Sequence, residues 1–239
     1  MLKLNTFSIA ARDEKTGQFG VAVSTKVPAV GCLCPFVKAG VGAIATQSFV
    51  NPYIGINGLK YLEEGMSAQA TMERILQEDP EPAIRQFSIV DKEGNAVAFS
   101  GDECDGWYGH LTGANYAIAG NMLVGEDTIQ EMQKTFESTV GLTLAERLIA
   151  VMEAGQAAGG DKRGRQSASL KVYSTEEYPL VDLRVDENPD PVKELRRIFS
   201  VAQKELFPFM EMLPTLKNPA GKFDFESSRE MGLLQDEGK

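Results

Sequence analysis

The sequence predicts an α+β protein built as a four-layer αββα sandwich, two antiparallel sheets stacked face to face with helices on both outsides. Two observations carry this. The elements come in groups, strands then two helices, strands then two helices, strands then one helix, where a parallel βαβ repeat would alternate single strands with single helices. The strands are also nearly continuous in apolar or small residues, as in Val41-Gly42-Ala43-Ile44-Ala45, which suits a sheet covered on both faces. At 239 residues the chain is long enough for one well-buried core. We read residues 1–213 as that single domain and 214–239 as an extended or mobile tail, because the apolar pattern decays after Pro208.

The first strands are Thr6–Arg12 and Phe19–Lys26, rich in Phe, Val, Ile and Thr, joined by the turn Asp13–Gln18 with Gly17 available for positive φ. A turn centred near Lys15 and Thr16 pairs residues whose numbers sum to about 31–33. Thr6 then faces the stretch 25–27, with Lys26 close to it, although a one-residue slip reverses a side chain's face. Another strand covers 41–48. Asn51-Pro52 marks a turn before a helix at 58–64, and Ser67 caps a second helix with Met72, Ile75 and Leu76 on its apolar side. Strands follow at 85–91 and 96–100. Residues 101–113 read as polar and irregular, and 116–123 as a strand. Ile129, Met132, Phe136 and Val140 define the next helix, stopped by Gly141. Thr143 and Glu146 form a capping box for its successor, which Gly155 ends. Strands at 167–173 and 180–185 precede a helix capped by Asp190, with Pro191 at its first position and Val192, Leu195, Phe199, Ala202 and Leu206 as its buried side.

The net charge of −10 argues against nucleic acid and anionic membranes as partners. The three cysteines, an odd number, argue against a disulfide framework and for a reducing compartment. No apolar stretch follows Lys3 as in a secretory signal, and no run approaches the length of a membrane span, so a cytoplasmic location is expected.

Thr6 is the first candidate for chemistry. A threonine hydroxyl needs an adjacent base to act as a nucleophile, and a residue's own α-amino group serves when that residue comes first in the chain. Lys26 would then stabilise the developing alkoxide. Set against this, strand threonines are common and most are structural. Asn121, after Gly120 at a strand end, offers an oxyanion donor or a turn side chain. Thr46, Gln47 and Asn51 cluster after a buried strand, to contact a ligand or to tie down the loop. Asp161, Arg163 and Arg165 lie in a glycine-flanked basic loop, Asp161–Gln166. Its arginine forks suit the carboxylate or phosphate of a substrate, and equally a network with nearby acids. A zinc site would need Cys32, Cys34, Cys104 and His110 to converge, and Cys-x-Cys is not a usual knuckle. No metal and no cofactor are expected. The expected partners are a small, anionic substrate and further copies of the chain.

The stretches Thr6–Asp13, Gly20–Val23, Gly40–Gln47, Ala119–Leu123, Gly159–Ser167 and Pro179–Asp186, followed by Asn188-Pro189-Asp190-Pro191, resemble the family called domain of unknown function 1028. The likeness covers roughly residues 6–200. It implies the amino-terminal-nucleophile (Ntn) hydrolase fold and an amide-hydrolase ancestry, without a substrate. In many relatives the Thr directly follows the initiator Met. Here Leu2, Lys3, Leu4 and Asn5 intervene, so freeing the Thr6 amine requires cleavage between Asn5 and Thr6. The expected activity is hydrolysis of a small amide bearing an anionic group. The alternative is a non-catalytic small-anion-binding protein on the same fold.

Overall fold

A computed structural model describes residues 6–222, so Met1–Asn5 and the end of the expected tail, 223–239, lie outside the described residues. The chain divides into two compact units, one running to Leu195 and the other starting at Arg196. The first unit holds two antiparallel sheets. Strands β1 (Thr6–Arg12), β2 (Phe19–Thr25), β7 (Trp107–Gly113), β8 (Tyr116–Leu123), β9 (Ser167–Tyr173) and β10 (Val181–Val185) form a six-stranded sheet in the order β10-β9-β2-β1-β8-β7. Strands β3 (Pro35–Lys38), β4 (Gly42–Ser48), β5 (Arg85–Asp91) and β6 (Ala96–Ser100) form a four-stranded sheet in that order.

The β1–β2 hairpin sets the register of everything around Thr6. Asp13 Oδ1 accepts the Thr16 N–H at 2.8 Å and the Thr16 hydroxyl at 2.9 Å, and Gly17 takes φ +71°. This turn pairs Thr6 with Thr25 and Arg12 with Phe19, a sum of 31. On its other side β1 pairs with β8, Phe7 opposite Gly120. Strand alternation then divides the side chains. Ala10, Val21 and Val23 of the large sheet meet Ala43, Ala45 and Val90 of the small one in a core between the sheets. On the small sheet's other face, Ile44, Phe87 and Ile89 pack with Ile54 and Leu62 of α1 (Pro52–Glu63) and Ala68 and Ile75 of α2 (Ala68–Glu78). On the large sheet's other face lie α3 (Asp127–Ser138) and α4 (Leu144–Ala157).

Several boundaries depart from the sequence reading. Helix α1 starts at Pro52 because Asn51 is its cap, its Oδ1 accepting the Tyr53 N–H at 3.0 Å, with Pro52 pre-set at the first helical position. Residues 107–113 are a strand rather than irregular. As an edge strand with half-exposed side chains it lacks the apolar alternation that would reveal it. The four-residue edge strand β3, opening on a proline, was hidden for a related reason. Helix α4 runs through Gly155. A Cβ there would come within 3.0 Å of Phe7 and 2.9 Å of Met132, so this glycine lets helix approach sheet and does not end the helix. Val140 lies beyond the end of α3 and is exposed.

Helix α5 (Pro191–Glu205) begins in the first unit, burying Val192 and Leu195, and continues into the second. Leu206 falls after its last residue. The second unit also holds the short α6 (Phe207–Met210), where the Phe207 ring meets Phe199 edge-on at 5.5 Å between centroids. A turn follows at Thr215–Asn218, each accepting the other's backbone N–H. Among the described residues, no helix is long and apolar enough to cross a membrane.

Candidate active site

Thr6 opens β1 on the face that looks toward the small sheet, the face of Ser8 and Ala10. Its side chain is fully buried, and its hydroxyl is hydrogen-bonded to Thr25 Oγ1 at 3.2 Å. From here a chain of amides crosses between the sheets. Ser8 Oγ donates to Gln47 Oε1 at 2.6 Å, and Gln47 Nε2 reaches the Thr6 carbonyl at 3.4 Å and Gln86 Oε1 at 2.7 Å. Asn121 Nδ2 donates to the same Gln86 oxygen at 2.9 Å. Gln86 Nε2 in turn faces the Gly120 carbonyl at 2.8 Å, Ser100 Oγ at 2.8 Å and the Gly109 carbonyl at 3.2 Å. Ser100 Oγ meets His110 Nδ1 at 2.9 Å at the exposed end of this chain. A primary amide both donates and accepts, so the three amides pair with one another where any one alone would leave a buried group unpaired.

The backbone around this network is strained. Ser48 (φ +66°) and Met122 (φ +51°) adopt the left-handed conformation without being glycine, and each directly follows a network amide, Gln47 and Asn121. Such residues persist only where their surroundings fix them, and they concentrate at functional sites.

The basic loop closes the same end of the large sheet. Asp161 is buried and accepts the Lys26 N–H at 3.1 Å, the Arg163 N–H at 2.8 Å and the Arg163 guanidinium at 3.2 Å. Burial pushes the Asp161 carboxyl above its ordinary range, and Arg163 and the two N–H groups only partly pull it back. The loop also bonds both strand ends: the Lys162 N–H donates to Met122 O at 3.0 Å and the Gln166 N–H to Thr25 O at 2.8 Å. Arg165 pairs with Asp190 at 3.2 Å in a solvent-exposed position.

Of the sequence candidates, Thr6, Gln47 and Asn121 converge through this network, with the Asp161–Arg163 pair on the loop beside them. Lys26 does not face Thr6. Thr25 holds that place, because the register sums to 31, and the exposed Lys26 amine donates to Arg165 O at 3.4 Å. Thr46 sits on the opposite face of β4 from Gln47, its hydroxyl 3.5 Å from Asn51 O. Asn51 caps α1 and donates to Asp79 Oδ2 at 2.9 Å, the carboxylate that pairs with Arg85. These two residues serve the helix start and not the Thr6 end. Sequence reasoning missed Thr25, Gln86 and Ser100. The available signal for Gln86 was a lone amide in the strand-like run Gln86-Phe87-Ser88-Ile89-Val90.

The cysteines and His110 do not converge. Cys32 is exposed, its thiol on Ala29 O at 3.0 Å, Cys34 is in the core, and the Cys104 thiol points to Arg85 O at 3.5 Å. Among the described residues no group of three or more His, Cys, Asp or Glu side chains is placed to hold a metal ion.

Against known proteins, the model of a family of unknown function, DUF1028, matches residues 6–195. A crystal structure of a Silicibacter pomeroyi protein, described as DUF1028, superposes with a TM-score of 0.84 at 29% identity, covering 92% of this chain and 100% of its own. Anbu, an ancestral β-subunit from Yersinia bercovieri, aligns at a TM-score of 0.39 and 12% identity, over 88% of this chain and 99% of its own. No curated protein matches.

Proposed function

We propose, for a chain that belongs to the DUF1028 family, that it is an Ntn-type hydrolase of a small amide bearing an anionic group, on an αββα sandwich, with Thr6 as the nucleophile once Met1–Asn5 has been removed. The observation that carries this reading is the position of the Thr6 hydroxyl. It stands at the first residue of a central strand, on the face between the sheets, against a second hydroxyl and beside a network of amide donors. Cleavage before Thr6 frees an α-amine that accepts the hydroxyl proton as Oγ1 attacks the substrate carbonyl. The leaving amine takes the proton, and water then hydrolyses the resulting ester. Asn121 is the proposed donor to the oxyanion, a role in which one well-placed group contributes about 3–4 kcal/mol. Arg163 and Arg165 are the proposed holders of the substrate's anionic group. Lys26, directly after β2, acts by charge and not by contact.

Intact-mass measurement of the protein isolated from its own cell tests the reading. Chains beginning at Thr6, with amidase activity that Thr6→Ala abolishes, are expected. Chains that all keep Met1–Asn5, with any amidase activity unchanged by Thr6→Ala, sink it.

A second reading, a non-catalytic small-anion-binding protein, is favoured by one observation: in the intact chain Thr6 exposes no surface and its hydroxyl is already bonded. It predicts stabilisation by carboxylates or phosphates that is lost in Arg163→Ala/Arg165→Ala. A thermal shift that is equal in both proteins removes it.

A further inference from the structure

A separate cavity of about 180 Å³ opens at the other end of β1, between the β1–β2 turn and the α3–α4 corner. Three cations, Arg12, Lys15 and Arg147, and two carboxylates, Asp13 and Glu14, line it, in a chain whose net charge is −10. Arg147 is the unusual member. It is only 7% exposed, its guanidinium lies 3.8 Å over the Phe136 ring, and Nη2 donates to Phe136 O at 2.8 Å. Its buried Nε–H has no hydrogen-bond partner. Its ion-pair partner, Asp13 Oδ2, is 3.9 Å away, outside hydrogen-bonding distance, while Asp13 Oδ1 is taken by Thr16. Burial pushes the Arg147 pKa down and Asp13 offsets this only in part, so the cation is under-neutralised where it sits. Arg12 reaches the same cavity with one nitrogen on Asn115 Oδ1 at 3.0 Å and its remaining donors uncommitted to that bond.

We infer that this cavity is a binding site for a small organic carboxylate, its charged group between Arg12 and Arg147 and a short apolar chain against Phe136 and Val140. A guanidinium whose Nη1 stands 3.9 Å from its ion-pair partner, with too little negative charge nearby, is the donor that a carboxylate completes. The cavity volume limits the ligand to a few heavy atoms, below the size of drug-like or peptide ligands. The site is independent of the Thr6 reading. It gives the pair Arg12-Asp13, which ends the first strand, a role that strand pairing alone does not require.

The test is calorimetric titration of the full chain with sodium butyrate at fixed ionic strength. Arg147 is left in place, because its removal would unstack Phe136 and strip Asp13 of its partner. Saturable binding is expected in the intact protein, unchanged by Thr6→Ala or by Arg163→Ala/Arg165→Ala. Arg12→Gln should weaken it about tenfold, the worth of one charge-assisted hydrogen bond. Val140→Asp, at a position 63% exposed where folding tolerates the change, should also weaken it. Absence of saturable binding overturns the inference, as does binding that both Arg12→Gln and Val140→Asp leave untouched or that Arg163→Ala/Arg165→Ala removes. Displacement of butyrate by equimolar sulfate overturns the assignment to carboxylates.

Discussion

The Thr6 hydroxyl is hydrogen-bonded to the Thr25 hydroxyl at 3.2 Å, and neither residue exposes any surface. The pairing follows from the turn: Asp13 and Thr16 fix the register, the register sets Thr25 opposite Thr6, and strand alternation aims both hydroxyls between the sheets. The Thr6 hydroxyl donates and Thr25 Oγ1 accepts, so a buried donor is not left unpaired. Thr25→Val keeps the shape and leaves the Thr6 hydroxyl without this partner. It is expected to lower the unfolding free energy by about 1–3 kcal/mol in urea denaturation. In a double-mutant cycle, Thr6→Val should recover part of that loss, because it removes the orphaned group. Strict additivity of the two changes would show that the bond contributes nothing.

Gln86 joins more partners than any other member of the network described above. Replacing it with Leu withdraws an acceptor from Gln47 and Asn121 and a donor from Gly120 O, all in buried surroundings. A loss of about 3 kcal/mol or more is expected. Two residues along the same strand, the Ser88 hydroxyl is equally buried and has no partner, so Ser88→Ala should cost nothing measurable or be stabilising. Chemical denaturation of the two variants side by side checks this. Equal losses would mean that the strand responds to burial alone and the network contributes nothing of its own.

What was legible in the sequence divides along physical lines. Local signals carried well: the Thr143 and Ser67 caps are present, although the Glu146 carboxylate meets the Thr143 hydroxyl and not its backbone N–H as a full capping box would require. The hairpin is present too, because turn chemistry and apolar periodicity act over a few residues. Edge strands such as 107–113 were illegible, since half-exposed side chains carry no alternating pattern. At the site, Thr6, Gln47 and Asn121 stood out as polar residues at the ends of apolar strands, and one network joins them. Gln86 is the same kind of residue, but its importance depends on which strands of two different sheets face each other, and no local window encodes that. Lys26 and Thr25 differ by one position, the precision that a hairpin register read from turn composition does not reach.

Two buried aspartates should respond to acid in opposite directions. Burial raises the Asp79 carboxyl, but Arg85, Asn51 and the Glu81 N–H together hold it below its ordinary value. Its stabilising contribution is therefore full above the unfolded value of about 3.9 and is lost as pH falls through the folded value. Asp161 is raised, chiefly by burial. Between the unfolded value and the raised one, the folded state binds the extra proton, so this group's contribution to stability grows as pH falls. Asp79→Asn should flatten the acid limb of the stability–pH curve, and it should cost about 3–5 kcal/mol at neutral pH by leaving Arg85 buried without its counter-charge. Asp161→Asn should steepen the decline in stability toward acid. Denaturant melts between pH 3 and pH 7 decide it, and the same slope change in both variants would refute the assignment.

The three thiols should separate cleanly by reactivity. Thiolate is the reactive form, and burial disfavours it. Cys34 is fully buried, and its thiol is pushed up to about 12 by desolvation, which a hydrogen bond from the Thr46 backbone offsets only in part. Cys104 is also buried, and only Cys32 is exposed among the three. Native protein treated with an aromatic disulfide reagent at pH 8 is therefore expected to release one equivalent of thiolate promptly. The other two should follow only on addition of guanidinium chloride. Cys32→Ser should remove the prompt phase and leave the slow phase intact. Prompt labelling of Cys34 in the folded protein would mean that the core between the sheets, in which Cys34 packs with Ala43 and Ala45, opens far more readily than its packing implies.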